Sequence, residues 1–335
     1  MTMITTINTG CNTLHKEQKP EFNPIVQDPH FQQAFSTKTI KLIAPASGTE
    51  PEKIQRLQTL NQFKMDVPEN LTTQAIAFHS NTDEERFKAL KNALLDTEDP
   101  NAIIWTLRGG YGTARLIQDL KQLPKPKHEK IFIGFSDITA LHLFLSQHWQ
   151  WKTIHGAGIL EFLNPNHDPK NLQMIADIIT KKGSHLDIKE LKLLNPNPIN
   201  NNHTKFKKIT GRLTGGNLSI VQTSLGTPWQ IKTRGKIVFL EDVSVKGYHI
   251  DRSLNHLKQA GVFKHAKAIV LGDFTNLQDD KIDLAIERFA KEMQVPVFKT
   301  DTFGHGFKNY PLIYNAASSI AEDPESGSFT LKMKI

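Results

Sequence analysis

The chain predicts an α/β protein of two domains, and three observations carry that expectation. Strands and helices alternate over residues 39–146, a turn-rich stretch follows at 195–202, and glycines and strands grow denser beyond it. A length of 335 residues also exceeds the usual span of one domain.

The first element is a strand at Thr39-Ile40-Lys41-Leu42-Ile43-Ala44, ended by Pro45 and Gly48. Ile54, Leu57, Leu60 and Phe63 then recur at helical spacing, which predicts a helix over 51–63. A second helix opens at Thr82, an N-cap with Glu85 in the capping-box position, and carries Phe87, Leu90, Ala93 and Leu94 as its apolar stripe. A strand over 102–107, a glycine loop and a helix over 114–123 come next. The strand Ile131–Gly134 and a helix over 138–146 complete the alternation. Residues 38–165 are therefore expected to form a parallel sheet with helices on both faces, of Rossmann/flavodoxin-like kind. Residues 166–208 read as a linker region, because Asn195-Pro196-Asn197-Pro198-Ile199-Asn200-Asn201-Asn202 is turn-forming. Residues 209–335 read as a mixed α/β domain, with strands over 235–240, 268–271 and 295–298 and a helix over 250–260.

Residues 1–37 are rich in Thr, Asn, Gln and Pro and read as a mobile arm. They lack a basic segment followed by an apolar core, and no segment approaches the ~18 apolar residues of a membrane span. A cytoplasmic protein with no membrane partner is expected. Hydrophobic residues at 38% and charged residues at 22% suit a soluble globular chain with a sizeable core. The net charge of +7 is mild and spread out, and its densest cluster, Lys205-Phe206-Lys207-Lys208, reads as a solvated turn. Nothing resembles a recognition helix, zinc finger or stacking platform, so no nucleic-acid partner is expected. The one cysteine, Cys11, excludes an intramolecular disulfide, a Cys-rich metal site and a thiol nucleophile in the folded body.

Chemistry is concentrated in a few motifs. In Ile131-Phe132-Ile133-Gly134-Phe135-Ser136-Asp137-Ile138 a strand runs through a glycine into a serine and then a helix. Such a turn lifts one hydroxyl clear of the chain and sets helical N–H groups beside it. Ile138 stands where G-x-S-x-G has its second glycine, and Ser136 could equally cap the helix. A serine nucleophile needs a base. Of the 14 histidines, His305 stands out in Phe303-Gly304-His305-Gly306, where small neighbours present the imidazole from a tight loop. His142, His148, His155 and His249 read as structural, and no His/Asp/Glu cluster has metal-ligand spacing. Glu241 and Asp242 end an apolar strand, and alternation sends only one of them toward a site. Arg108-Gly109-Gly110-Tyr111-Gly112 follows a strand and suits anion binding through its N–H groups. It lacks the third glycine of a dinucleotide fingerprint, which leaves a contribution to an oxyanion hole as the other reading.

These motifs, with Gly134 to Thr139 (GFSDIT), GGNLS at Gly215 to Ser219, LED at Leu240 to Asp242, YHIDRSL from Tyr248 and FGHG from Phe303, resemble those of the LD-carboxypeptidases. These are serine peptidases that trim murein peptides, and the microcin-immunity peptidases belong with them. The likeness covers roughly residues 38–320. It implies a metal-independent and cofactor-free triad of Ser136, Glu241 and His305, with an oxyanion hole from Asp137 and either Gly109 or Gly110. It also implies a muropeptide substrate losing a terminal D-alanine, a homodimer, and substrate contacts at Gly215 and Asn217, with Arg108 for the terminal carboxylate. Asp137 is expected to cap the helix with its carboxylate, as is Asp251, with Arg252 paired to an acid. Val245-Lys246-Gly247 departs from the relatives, which usually carry an acid there. Two rivals remain. The microcin-immunity branch cleaves peptide–nucleotide conjugates; the interval from Ser136 to Glu241 is short for it, but Trp229 could serve as its aromatic contact. The other is a non-catalytic protein that binds an anionic ligand on the glycine loop.

Overall fold

The computed structural model describes residues 21–72, 76–195, 208–274, 279 and 281–335. Cys11, most of the turn-rich stretch and Lys205 to Lys207 lie outside the described residues. After a 3₁₀ turn at Pro24–Gln27 come α1 (Pro29–Gln33), β1 (Ile40–Ile43), α2 (Pro51–Gln58), β2 (Met65–Asp66) and α3 (Asp83–Leu95). They are followed by β3 (Ile103–Thr106), α4 (Ile117–Leu120), β4 (Ile131–Gly134), α5 (Thr139–His148) and β5 (Ile154–His155). These five strands are parallel in the order β2-β1-β3-β4-β5. That is the flavodoxin-like order, whose ligand crevice opens beyond the carboxyl ends of the strands. Every residue of β3 is buried, as a strand covered on both faces requires.

The second half contributes α6 (Lys170–Ile179), β6 (His185–Leu193), β7 (Ile209–Asn217), α7 (Leu218–Thr223), β8 (Lys236–Glu241) and α8 (Gly247–Gln259). Then come β9 (Ala268–Leu271), α9 (Lys281–Glu292), β10 (Val297–Lys299), β11 (Leu312–Ile313), β12 (Ala317–Glu322) and β13 (Phe329–Lys334). A mixed sheet closes into a barrel in the order β10-β6-β13-β12-β7-β8-β9. Its β7-β8-β9-β10 side is parallel and the rest antiparallel. Among the described residues no helix is long and apolar enough to cross a membrane.

Two expected boundaries are corrected. The arm expected over 1–37 is, from residue 21, a packed part of the first domain. Asp28 accepts from the N–H groups of His30 and Phe31 to cap α1, and Pro29 occupies its first position. Val26, Phe31 and Phe35 are buried, the last two against Phe63, Trp105 and Phe162 with ring centroids 5.6–6.0 Å apart. Fully burying one such ring is worth roughly 1.5–3 kcal/mol. A polar average over the whole segment concealed these few apolar residues. Nor are residues 166–208 a simple linker. Leu172, Ile175 and Ile179 of α6 join the core of the first sheet, while β6 is a barrel strand. Leu186, Ile188 and Leu191 are its buried residues, and a register irregularity against β13, with Glu190 at φ +64°, breaks the alternation that would have revealed it. The two sheets also share a seam, because β11 returns from the barrel side to pair antiparallel with β5.

Candidate active site

The loops after β1, β3 and β4 meet at the crevice. Beyond Gly134, Phe135 is extended and Ser136 sits at φ +62° before a 3₁₀ turn leads into α5. A left-handed backbone at a non-glycine residue costs on the order of 1–3 kcal/mol, so surrounding packing must impose it. Gly134 makes the turn possible, since a Cβ there would meet Thr106 Oγ1 at 2.4 Å and Ile138 at 2.9 Å. Neither the 3₁₀ turn nor α5 has a side-chain cap, so capping is not the employment of the Ser136 hydroxyl. The Asp137 carboxylate does not cap either. It accepts the Thr113 N–H at 2.8 Å, and the Asp137 carbonyl accepts the Thr113 hydroxyl at 2.5 Å. Burial pushes the Asp137 carboxyl above its ordinary range against the pull of Thr113.

Through Thr113 the glycine loop is thus stitched to the serine turn. Gly109 approaches so closely that a Cβ would lie 2.6 Å from Ser136 Cβ and 2.9 Å from its Oγ. Gly110 and Gly112 have φ of +120° and +129°. Ser47, just after β1, braces the loop from below: its N–H donates to the Gly109 carbonyl and its Oγ accepts the Tyr111 N–H. The buried Arg86 donates to the carbonyls of Pro45 and Gly112. Among the described residues the N–H groups of Gly109, Gly110 and Asp137 donate to no other main-chain group. Arg108 is exposed and makes no ion pair among them. Tyr111 of the same loop is exposed, as is Phe78 from the segment before α3, with the Phe78 and His79 rings 6.0 and 5.3 Å from that of Tyr111.

The barrel supplies the other half. Glu241 ends β8 fully buried, and its Oε2 accepts from His305 Nδ1 at 2.6 Å. Of the adjacent acids it is Glu241 that reaches the histidine. Asp242 instead accepts from Asn217 Nδ2 and from the N–H and hydroxyl of Ser219. The glycines of Phe303-Gly304-His305-Gly306 have a clear cause in Asp273. A Cβ at Gly306 would meet Asp273 Oδ2 at 2.3 Å, and Gly304, at φ +132°, lies against the Asp273 backbone. Burial pulls the His305 pKa down, but the charge and hydrogen bond of Glu241, with Asp242 and Asp273 behind, carry it above its usual value. Burial in turn raises the Glu241 carboxyl against the pull of His305. Phe135 packs its ring 4.7 Å from that of His305, which brings the serine turn against the imidazole. No hydrogen bond yet joins Ser136 to His305; with Nδ1 committed to Glu241, Nε2 is the nitrogen left to accept one.

Several expected roles are corrected. Gly215 and Asn217 are buried rather than open to a substrate. A Cβ at Gly215 would strike the Phe239 carbonyl of β8, and Asn217 caps α7 while bracing Asp242. Asp251 lies inside α8, which starts at Gly247, and faces Arg288 at 3.7 Å; Arg252 makes no ion pair among the described residues. Trp229 is a core residue, 5% exposed, and not available to stack on a nucleobase. The sequence reading missed the braces Ser47 and Arg86, and also Asn171. Asn171 is buried, donates to the Phe307 carbonyl of the His305 loop and to Glu161, and accepts the Asn309 N–H at 2.8 Å. None of the three carries a sequence pattern, since each acts on the backbone of a distant segment. Among the described residues no three His, Cys, Asp or Glu side chains gather as a metal site would require.

Comparison with known proteins identifies the family. The LD-carboxypeptidase N-terminal domain matches residues 40–156 and the LD-carboxypeptidase C-terminal domain matches residues 210–320. The chain belongs to the LD-carboxypeptidase family. It is 45% identical to a carboxypeptidase-named protein of Rickettsia conorii over 88% of this chain and 92% of that one. It is 30% identical to the murein tetrapeptide carboxypeptidase of Pseudomonas aeruginosa over 81% and 89%. The crystal structure of muramoyltetrapeptide carboxypeptidase from Oxalobacter formigenes shares the fold, with a TM-score of 0.74 and 23% identity over 89% of this chain and 99% of that one. The microcin C7 self-immunity protein MccF shares it too, at a TM-score of 0.70 and 20% identity over 89% and 96%.

Proposed function

We propose that this LD-carboxypeptidase family member is a serine peptidase that removes the terminal D-alanine from murein tetrapeptides during peptidoglycan recycling. The observation that carries the reading is the 2.6 Å Glu241–His305 pair of the barrel, set by the Phe135 contact against the strained Ser136 turn of the first sheet. Glu241 holds His305 with Nδ1–H toward itself, which leaves Nε2 as the base. Ser136 Oγ attacks the carbonyl of the L-configured centre as its proton passes to Nε2. The N–H of Asp137, with that of Gly109 or Gly110, receives the oxyanion. His305 then protonates the departing amine, and water enters by the reverse path to release the acyl group. Arg108, exposed at the rim, takes the terminal carboxylate of the substrate.

Mass spectrometry of a disaccharide-tetrapeptide incubated with the wild type and with Ser136→Ala tests this. The wild type is expected to release one alanine, and the variant to lose several orders of magnitude in rate. No release by folded wild type would overturn the substrate; equal release by both would overturn the nucleophile.

A further inference from the structure

His155 ends β5 in the first sheet, yet its ring lies against Glu241 of the barrel. Nε2 stands 4.0 Å from Glu241 Oε1, and both side chains are fully buried. Neither ring nitrogen of His155, nor Glu241 Oε1, has a hydrogen-bond partner among the described protein atoms. Glu241 Oε2 is occupied by His305. Buried polar atoms are nearly always paired, and leaving one unpaired is destabilising.

The surroundings narrow the choice of partner. Phe135, Phe239 and Tyr314 wall the ring at centroid distances of 6.2, 5.1 and 6.5 Å, with His142 at 6.4 Å. His142 is already committed at both nitrogens, accepting from the Thr153 hydroxyl and donating to the Gly134 carbonyl. The Tyr314 hydroxyl donates to the Gly215 carbonyl. Asn217 also pulls on the Glu241 carboxylate, but Oε1 itself accepts no hydrogen bond among the described protein atoms and faces His155.

We propose that His155 is a positioning residue for Glu241, donating its Nε2–H to Oε1 and so fixing the carboxylate with Oε2 toward His305. A carboxylate only accepts and a neutral imidazole has a single N–H, so the required tautomer carries that proton on Nε2. Burial, with His142 and His305 nearby, holds the His155 pKa well below 6.5 and keeps the ring neutral. A closure of about 1 Å brings the atoms from 4.0 Å to hydrogen-bond distance. The bond would lock the rotation of the carboxylate and tie β5 to β8 across the seam between the sheets. This inference rests on the reading of Glu241 as the orienter of His305.

The test measures how fast a fluorophosphonate labels Ser136, a readout that needs the triad but no natural substrate. His155→Phe keeps the ring without the donor, and His155→Gln keeps a donor near the Nε2 position. We expect His155→Phe to label about tenfold slower when assayed below a lowered thermal midpoint, and His155→Gln to recover to within about threefold of the wild type. Labelling of His155→Phe at the wild-type rate, or no recovery with glutamine, would overturn the proposal. Nitrogen-15 NMR of the wild type decides it independently of whether His155→Phe folds: a neutral Nε2–H tautomer is expected, and an Nδ1–H tautomer would exclude the bond. Absence of labelling in the wild type would count against the triad instead, leaving the NMR result to judge His155.

Discussion

The first sheet delivers Ser136 on strained, glycine-lined backbone, whereas the barrel delivers Glu241 and His305 by burial and charge. On the first side the elements that matter are main chain: the φ of +62° at Ser136, the close approach of Gly109 and the unspent N–H groups. On the second side they are side chains, a carboxylate at zero exposure and an imidazole that also feels the negative charge of Asp242 and Asp273. The contrast teaches that one half is specified by where a Cβ cannot go and the other by where a charge cannot be left alone. Substitutions should therefore break the two halves in different ways.

The largest effect is expected on the charged side. Glu241→Gln keeps the shape but removes the charge that holds the His305 tautomer, and in the proposed mechanism kcat should fall by about 10⁴-fold with KM little changed. The pH profile should move as well. His305 must be neutral to act as base, so wild-type kcat/KM is lost as the pH falls through a His305 pKa raised above 6.5. Without the Glu241 charge, burial is opposed only by the lesser pull of Asp242 and Asp273, and the acid limb should slide to lower pH. A limb that stays in place, measured from pH 4 to 9, would show that Glu241 is not the group that tunes the base.

The same contrast explains what the sequence disclosed. β4, the serine turn and the strand before Glu241 were legible because continuous apolar runs meet a glycine or an acid at a strand end. The glycine motifs were legible as motifs, but their causes were not. Asp273 beneath the histidine loop and Ser136 against Gly109 are contacts between distant segments. The α/β alternation of the first sheet could be read from local periodicity, whereas closure of the barrel through β6, β12 and β13 could not. Those strands are half exposed, β6 is interrupted by the irregularity at Glu190, and only their antiparallel partners define them. The packing of Phe31 and Phe35 was hidden by the polar residues around them.

On the backbone side, Gly109→Ala sharpens the comparison. Its Cβ would sit 2.6 Å from Ser136 Cβ, so the loop must retreat from the serine while the Thr113–Asp137 stitches hold its far end. The proposed oxyanion donors then lose their aim, and a fall of about 10²–10³-fold in kcat is expected, comparable to removing one donor. The Glu241–His305 pair is untouched, so the acid limb should not move. A shifted limb in Gly109→Ala would mean that the two halves are not separable in the way their construction suggests.

The smallest effect should come from loosening the histidine loop at a distance. Asn171 holds that loop by donating to the Phe307 carbonyl at 3.2 Å and accepting the Asn309 N–H at 2.8 Å. Asn171→Ala strands the Asn309 N–H in a buried setting, at a cost of about 1–3 kcal/mol in stability. The loop keeps other ties, because the Asp168 N–H also donates to the Phe307 carbonyl and the Tyr310 hydroxyl donates to the Asp168 carboxylate at 2.9 Å. His305 should therefore wander rather than leave, and kcat should fall by about tenfold with little change in KM. The rate of fluorophosphonate labelling should fall in step with kcat, because both read the placement of one imidazole. If the thermal midpoint drops while labelling stays at the wild-type rate, the Glu241–His305 bond alone positions the base, and the charged half needs no help from its backbone.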